Sequence, residues 1–294
     1  MTVEHRPLAW NIGEEILGLD LSKPLDAATV AELRDLLNNR CILLFRDQFI
    51  SPEEHIAFTR QFGETMHTPA LERMLHPDYP QIWQVTNVRQ KDGTESFSRN
   101  TGRLWHSDQT YMPEPAKGSL LHCKEIPSVG GDTMFANAYL GYEALSDVMK
   151  EMIEDLWAVH DLNEVEERRS RVPPLTPEEI AKTPPVTHPL VITHPETGRK
   201  ILYVSQQVTC QIVGMSKEES KPLLEYLHSR IVLAEHTYRH QWRPGDLVFW
   251  DNWCAQHFAP MDYNQADRNE RRVMWRTTLA GGPIDGDRVA PAAA

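Results

Sequence analysis

What most restricts this chain is a series of short, β-rich runs broken by turn residues. QIWQVTNV, RLWHSD, SLLHCKEI and DTMFAN fall between Gln81 and Asn137, and DLVFWDN, CAQHFA and RVMWRTTL come near the end. Strands this short are stable only when paired and buried on a face, and the Gly, Pro, Asn and Ser clusters between them supply the turns. The core is therefore expected to be mainly β, with HPLVITHP and ILYVS as further strands. Helical signals flank it. Asp26 can cap a helix with Val30, Leu33, Leu36 and Leu37 on its apolar face, before CILLFR, which reads as a buried strand. Ser51-Pro52-Glu53-Glu54 is a capping box with proline at the first helical position, and Gly63 is the expected terminator. Leu145, Val148, Met149, Met152, Ile153 and Leu156 predict one long amphipathic helix packed on the core, and another helix is expected around Lys221 to Leu233.

Composition narrows the class. With 294 residues and 40% hydrophobic content the chain can bury a full core. It holds no apolar run long enough to span a bilayer, and MTVEHRPLAW lacks the pattern of a signal peptide, so a cytoplasmic protein with no membrane partner is expected. A formal charge of −12 argues against a nucleic-acid footprint, so positive charge for an anionic ligand would have to be local. Cys41, Cys123, Cys210 and Cys254 lack paired metal-ligand spacing and read as reduced, mostly buried thiols. Residues 161–186 carry EVEERRSR and five prolines, the composition of a lid or a mobile loop, and the tail from 284 to 294 is expected to fray. No linker divides the chain, which reads as one catalytic domain over 1–294.

The chemistry concentrates in three of the strands. In LWHSDQTY, His106 and Asp108 lie two apart, so on a strand both side chains leave the same face and can bind one ion. A His-x-Asp pair occurs by chance, but His257 on a later strand supplies a third ligand. Two histidines and one carboxylate on a β scaffold form the facial triad of non-haem Fe(II) oxygenases, which leaves adjacent coordination positions open. Arg272 and Arg276, four apart on RVMWRTTL, share a face and are costly to bury unless anions neutralise them; a guanidinium can clamp a carboxylate bidentately. Thr133 could add a hydroxyl to the same carboxylate or be an ordinary strand residue. A zinc hydrolase could use the same three ligands, although it would leave Thr133, Arg272 and Arg276 without a role.

The ordered motifs GLDLSKPL, ILLFRDQ, FTRQFGE, LWHSDQTY, GGDTMFAN, HPLVITHPETGRK, WDNWCAQH and RVMWRTTL resemble the taurine dioxygenase and aryloxyalkanoate (2,4-dichlorophenoxyacetate) dioxygenase family over about residues 8–282. The resemblance implies a double-stranded β-helix, a cupin-like jelly roll with flanking helices. It implies Fe(II), 2-oxoglutarate as cosubstrate and O₂, with His106, Asp108 and His257 as iron ligands. Thr133 and Arg272 match the residues holding the distal carboxylate of 2-oxoglutarate, Arg276 a position facing the substrate's anionic group, and Trp250 an aromatic lining the cofactor pocket. His67 and Tyr111 fall near the substrate loops. The implied reaction is hydroxylation of a C–H bond in a small, anionic organic molecule (carboxylate, sulfonate or sulfate), releasing succinate and CO₂. Asp108 favours hydroxylation over halogenation, since Gly or Ala there would open a halide site. The family also implies a homo-oligomer, a dimer or tetramer. His122, His160, His188, His194, His228, His236 and His240 form no comparable ligand pattern and read as structural or surface residues.

Overall fold

A computed structural model describes residues 2–66, 69–163 and 175–284, with only the backbone of 69–71. His67, residues 164–174 of the predicted lid and the tail from 285 lie outside the described residues. In chain order the strands are β1 (His5–Pro7), β2 (Glu14–Ile16), β3 (Ile42–Phe45), β4 (Trp83–Thr86), β5 (Gly118–Glu125), β6 (Thr133–Asn137), β7 (Trp157–His160), β8 (Val186–Pro189), β9 (Val191–Thr193), β10 (Lys200–Leu202), β11 (Thr209–Ile212), β12 (Thr237–His240), β13 (Leu247–Asp251), β14 (Ala255–Phe258) and β15 (Val273–Leu279).

Seven of them form one sheet in the order β1-β2-β3-β13-β5-β15-β4, antiparallel except for β2 beside β3. Facing it are the smaller sheets β12-β6-β14 and β11-β7-β8 and the pair β10-β9. This is the expected cupin-like jelly roll with flanking helices. Alternation along the strands assigns each side chain to one of two cores. Ile42, Leu44, Leu121, Cys123, Val248, Trp250 and Met274 point inward, to meet Phe135, Ile192 and Leu202. Leu43, Phe45, Leu120, Leu247, Phe249 and Leu279 point outward, onto Leu33, Leu37 and Phe58 of the helices Ala27–Arg40 and Pro52–Arg60 and onto Phe62 just after the second helix. Both faces are covered, which is why ILLF and LVFW are continuously apolar rather than alternating.

The helix starts follow the expected caps. Asp26 accepts from the backbone N–H of Thr29, and Ser51 and Glu54 close a capping box. The second helix ends at Arg60, two residues before the expected terminator's neighbour Phe62. The late helix runs Lys217–Ile231, starting earlier than its apolar residues suggest because Ser216 and Glu219 form another capping box.

The single long helix expected over 145–156 is not formed. One shorter helix stands there, Asp147–Ile153, which the Ser146 hydroxyl starts by accepting from Met149 N–H, so that Leu145 precedes it and Leu156 follows it. Leu145 and Ile153 are buried, whereas Val148 is 77% exposed and Met152 about half. RLWHSD is not a strand either. It makes one bridge, His106 to His257, and then turns, with Gln109 at φ 58°. The four cysteines are free thiols, three of them buried.

Candidate active site

His257 is fixed first, by the sheet. It sits on β14 opposite Phe135 of β6. Its backbone exchanges hydrogen bonds with His106 (His106 N–H to His257 O, 3.1 Å; His257 N–H to His106 O, 2.8 Å), which brings the two imidazole centroids to 4.1 Å. Over three residues the chain keeps strand-like alternation. The Ser107 hydroxyl turns away to donate to Ala255 O at 3.0 Å, so His106 and Asp108 emerge together. The donor atoms of His106, Asp108 and His257 all lie within 4.8 Å of one another.

Each ligand is held in a form that suits a metal. His106 Nδ1 lies 2.8 Å from Leu104 O and so carries the proton, which makes Nε2 the nitrogen that can ligate. Burial pushes the pKa of His257 down to about 4, against the pull of Asp108, so its ring is neutral at pH 7. Burial alone would raise Asp108, but Arg276, the two imidazoles and the Ser119 hydroxyl outweigh it and hold the carboxyl at about 2. Ser119 donates to Asp108 Oδ2 (2.7 Å) and Arg276 Nη1 to Oδ1 (2.6 Å), while Asp108 N–H donates to Asn252 Oδ1 (3.2 Å). Asn252 ties the bracket together, donating to Ser119 Oγ and accepting from Trp250 Nε1 at 2.7 Å. Trp250 is fully buried with its ring 4.9 Å from His257 and lines the cavity.

The two arginines are both buried, as expected, but go to different places. Arg272 lies just before β15, beside a register shift at Val273–Met274. It donates from Nε to Gly131 O (2.9 Å) and from Nη2 to Thr133 Oγ1 (3.3 Å), and has no carboxylate partner among the described residues. Arg276 pairs with Asp108, and its guanidinium carbon lies 4.5 Å from the centroid of Trp83. Tyr111 is buried in an apolar cluster with Met74, Trp83, Phe97, Leu162 and Val208, all of which also line the cavity. Leu162 and Leu175, both inside the segment 161–186 predicted as a lid, join that cluster.

Several contributors were not predicted. Ser119, Asn252, Trp242 (whose Nε1 donates to Thr133 Oγ1, 2.9 Å) and the apolar wall carry no local signal, since each acts through a partner more than 100 residues away or through packing. The seven histidines read as structural or surface residues, His122, His160, His188, His194, His228, His236 and His240, are all buried. His194 bonds Asp251, His240 bonds Asp246, His122 bonds Gln48 O, His188 bonds Met112 O and His236 bonds Arg230 O.

A jelly roll whose interior presents two histidines, one carboxylate and, in the same cavity, a buried arginine–threonine pair defines a class of mononuclear metal oxygenase that takes an acidic cosubstrate. Comparison with known proteins gives the family. Residues 4–278 match the family described as taurine catabolism dioxygenase TauD, TfdA family. The chain is 35% identical over 293 residues to an alkylsulfatase of Acinetobacter baylyi, covering 97% of this chain and 87% of that protein. It is 34% identical to a (S)-phenoxypropionate/alpha-ketoglutarate-dioxygenase of Sphingobium herbicidovorans, covering 97% of each. Among solved structures, AAD-2 in complex with Mn(II) and N-oxalylglycine superposes with a TM-score of 0.81 at 33% identity, over 97% of this chain and 99% of that one. The chain belongs to the TauD/TfdA family of Fe(II)- and 2-oxoglutarate-dependent dioxygenases.

Proposed function

We propose that this chain hydroxylates a C–H bond of a small organic acid (a carboxylate, sulfonate or sulfate ester) with an apolar body, consuming 2-oxoglutarate and O₂. The observation that carries the reading is the presence in one cavity of the His106–Asp108–His257 cluster and of Arg272, a buried cation without a carboxylate partner among the described residues. A zinc hydrolase has no use for that cation.

In this reading His106 Nε2, Asp108 and His257 hold Fe(II). The donor set fits, being two neutral imidazoles and one ionised carboxylate. The bound iron supplies activation of O₂, coupling decarboxylation of 2-oxoglutarate to succinate with oxidation of the substrate. Thr133 and Arg272 bind the distal carboxylate of 2-oxoglutarate. The Thr133 hydroxyl already accepts from Trp242 and Arg272, so its own proton is left to donate to an anion. Met74, Trp83, Phe97, Tyr111 and Val208 exclude water from the substrate body, and Arg276 faces its acidic group from beside Asp108. Names of relatives agree with this chemistry, one being a phenoxypropionate dioxygenase and another a sulfate ester dioxygenase of Pseudomonas putida. Residues 1–294 are read as one catalytic domain that forms a dimer or tetramer in the cytoplasm. Among the described residues no helix is long and apolar enough to cross a membrane.

The test is anaerobic titration of apoprotein with Fe(II) and 2-oxoglutarate, watching for a weak visible charge-transfer band in wild type, His106→Ala and Arg272→Ala. The band is expected to require His106 and to weaken in Arg272→Ala. Screening phenoxyalkanoates, alkyl sulfates and sulfonates for succinate release then identifies the substrate. Folded, metal-loaded protein without a band would overturn the reading in favour of hydrolysis.

A further inference from the structure

Four arginines line the cavity, and only two are neutralised. Arg99 pairs with Glu95 at 2.5 Å and Arg276 with Asp108 at 2.6 Å. Arg272 and Arg103 have no carboxylate partner among the described residues. Arg103 donates from Nη1 to Ala259 O at 3.0 Å, while its Nε is buried with no acceptor. The nearest acids are committed elsewhere. Asp132 and Asp262 both accept from Arg239 at 2.7 Å, and Asp262 also accepts from Gly131 N–H.

Register puts Arg103 at the Thr133 end of the cavity. β14 pairs His257 with Phe135 and Phe258 with Met134, so Ala259 runs on beside Thr133, and Ala259 N–H bonds Gly102 O at 2.7 Å. Arg103, anchored to Ala259, is thereby within electrostatic reach of Arg272. Burial lowers the pKa of Arg272 first, and the charge of Arg103 lowers it further. Asp262 acts on both arginines only at a distance, and two guanidiniums with no carboxylate ion-paired to them among the described residues are costly to bury unless a ligand supplies a further anion.

We propose that Arg103 is a second guanidinium for the distal carboxylate of 2-oxoglutarate, presented by the Ala259 carbonyl at the end of the cavity that Arg272 and Thr133 occupy. This rests on the 2-oxoglutarate reading above. The carboxylate could in principle come from cosubstrate or substrate. The cosubstrate is favoured because Arg103 lies with Thr133 and Arg272, whereas the apolar wall surrounds Trp83 and Arg276.

The experiment is anaerobic calorimetry on the Mn(II)-loaded full chain, titrating 2-oxoglutarate and, separately, 2-oxopentanoate, which keeps the keto acid and chain length but lacks the distal carboxylate. Charge-assisted hydrogen bonds at a partly exposed site set the expected size, so Arg103→Gln should weaken 2-oxoglutarate about tenfold and leave 2-oxopentanoate unchanged. Arg103→Lys should recover part of the loss. Unchanged 2-oxoglutarate affinity in Arg103→Gln overturns the proposal. So does an equal loss for both keto acids, which would mean that Arg103 acts through the metal site or the fold. A rise confined to the KM of the organic substrate would assign Arg103 to the substrate instead and equally overturn it. If wild type binds neither keto acid, the dioxygenase reading itself fails, an outcome distinct from all three.

Discussion

Replacing Arg276 with Met isolates the electrostatic centre of the site. Arg276 Nη1 lies 2.6 Å from Asp108 Oδ1, with side-chain exposures of 10% and 5%. Its removal takes away the largest favourable charge on the Asp108 carboxylate and leaves the Ser119 hydroxyl bond, since His257 is neutral at pH 7. Two routes give the magnitude. Depression of Asp108 from 3.8 to about 2 corresponds to about 2–3 kcal/mol, at about 1.4 kcal/mol per pH unit. Removing one partner of a buried pair generally costs about 3–5 kcal/mol. Met preserves most of the packing on Trp83, so Arg276→Met in chelator at pH 7.5 should lose about 3 kcal/mol, read from urea unfolding. Three further results are required if stranded charge is the cause. Adding Asp108→Asn should recover a good part of the loss, and saturating Mn(II) should narrow the gap by supplying positive charge at the same carboxylate. The gap should also narrow as the pH falls. In wild type the folded pKa lies below the unfolded one, so the contribution of Asp108 is fully present above about 3.8 and lost as the pH falls towards about 2. In the variant Asp108 takes up its proton at higher pH, relieving the stranded charge earlier. Arg276→Met unfolding within about 0.5 kcal/mol of wild type in chelator would refute the reasoning.

Thr133→Val is isosteric but strands the buried Trp242 indole N–H; urea unfolding should show a loss of about 1–3 kcal/mol that shrinks when Trp242→Phe removes the donor. Gly131→Ala puts a Cβ 2.9 Å from Ile126 Cδ1 at φ +76°, on the residue whose carbonyl accepts from Arg272 Nε, so 2-oxoglutarate affinity by calorimetry should fall more than metal affinity. Burial holds His122, His228 and His257 at about 4, below the ordinary histidine value near 6.5. The unfolded chain therefore takes up protons first on acidification, and stability in chelator, fully present above about 6.5, should fall by about 4 kcal/mol per pH unit between about pH 6 and 4.5, measured by urea midpoints.

Much of this was legible because it depends on local period. The continuously apolar runs ILLF and LVFW mark strands buried on both faces, and the two-residue step from His106 to Asp108 is a property of an extended backbone that the structure keeps even where RLWHSD forms only one bridge. The same reasoning failed at residues 145–156. There the apolar spacing was correct, but the helix is confined to Asp147–Ile153, because the Ser146 hydroxyl caps it at Met149 N–H, a side-chain signal that hydrophobic period does not register. The arginines mark another limit. Their shared face was legible, whereas their division between Thr133 and Asp108 depends on a register shift at Val273–Met274 and on partners more than 130 residues away.

The contributors without any sequence signal share a physical character. Ser119 and Asn252 join Trp250, which the family resemblance had marked, in a chain of buried hydrogen bonds ending on Asp108, and both are ordinary strand or turn residues until the sheet brings them together. Such a network leaves the carboxylate little rotational freedom, so this ligand is in place before any metal arrives. The other end of the cavity is built differently. Arg272 and Arg103 are anchored through backbone carbonyls of Gly131 and Ala259, which fix position without cancelling charge. A carboxylate in either place would have neutralised the cation and removed its use. On the proposed assignment, paired charge at the His106–Asp108–His257 end and unpaired guanidiniums at the Thr133 end would give an acidic chain, at net −12, the local positive potential that a dicarboxylate requires.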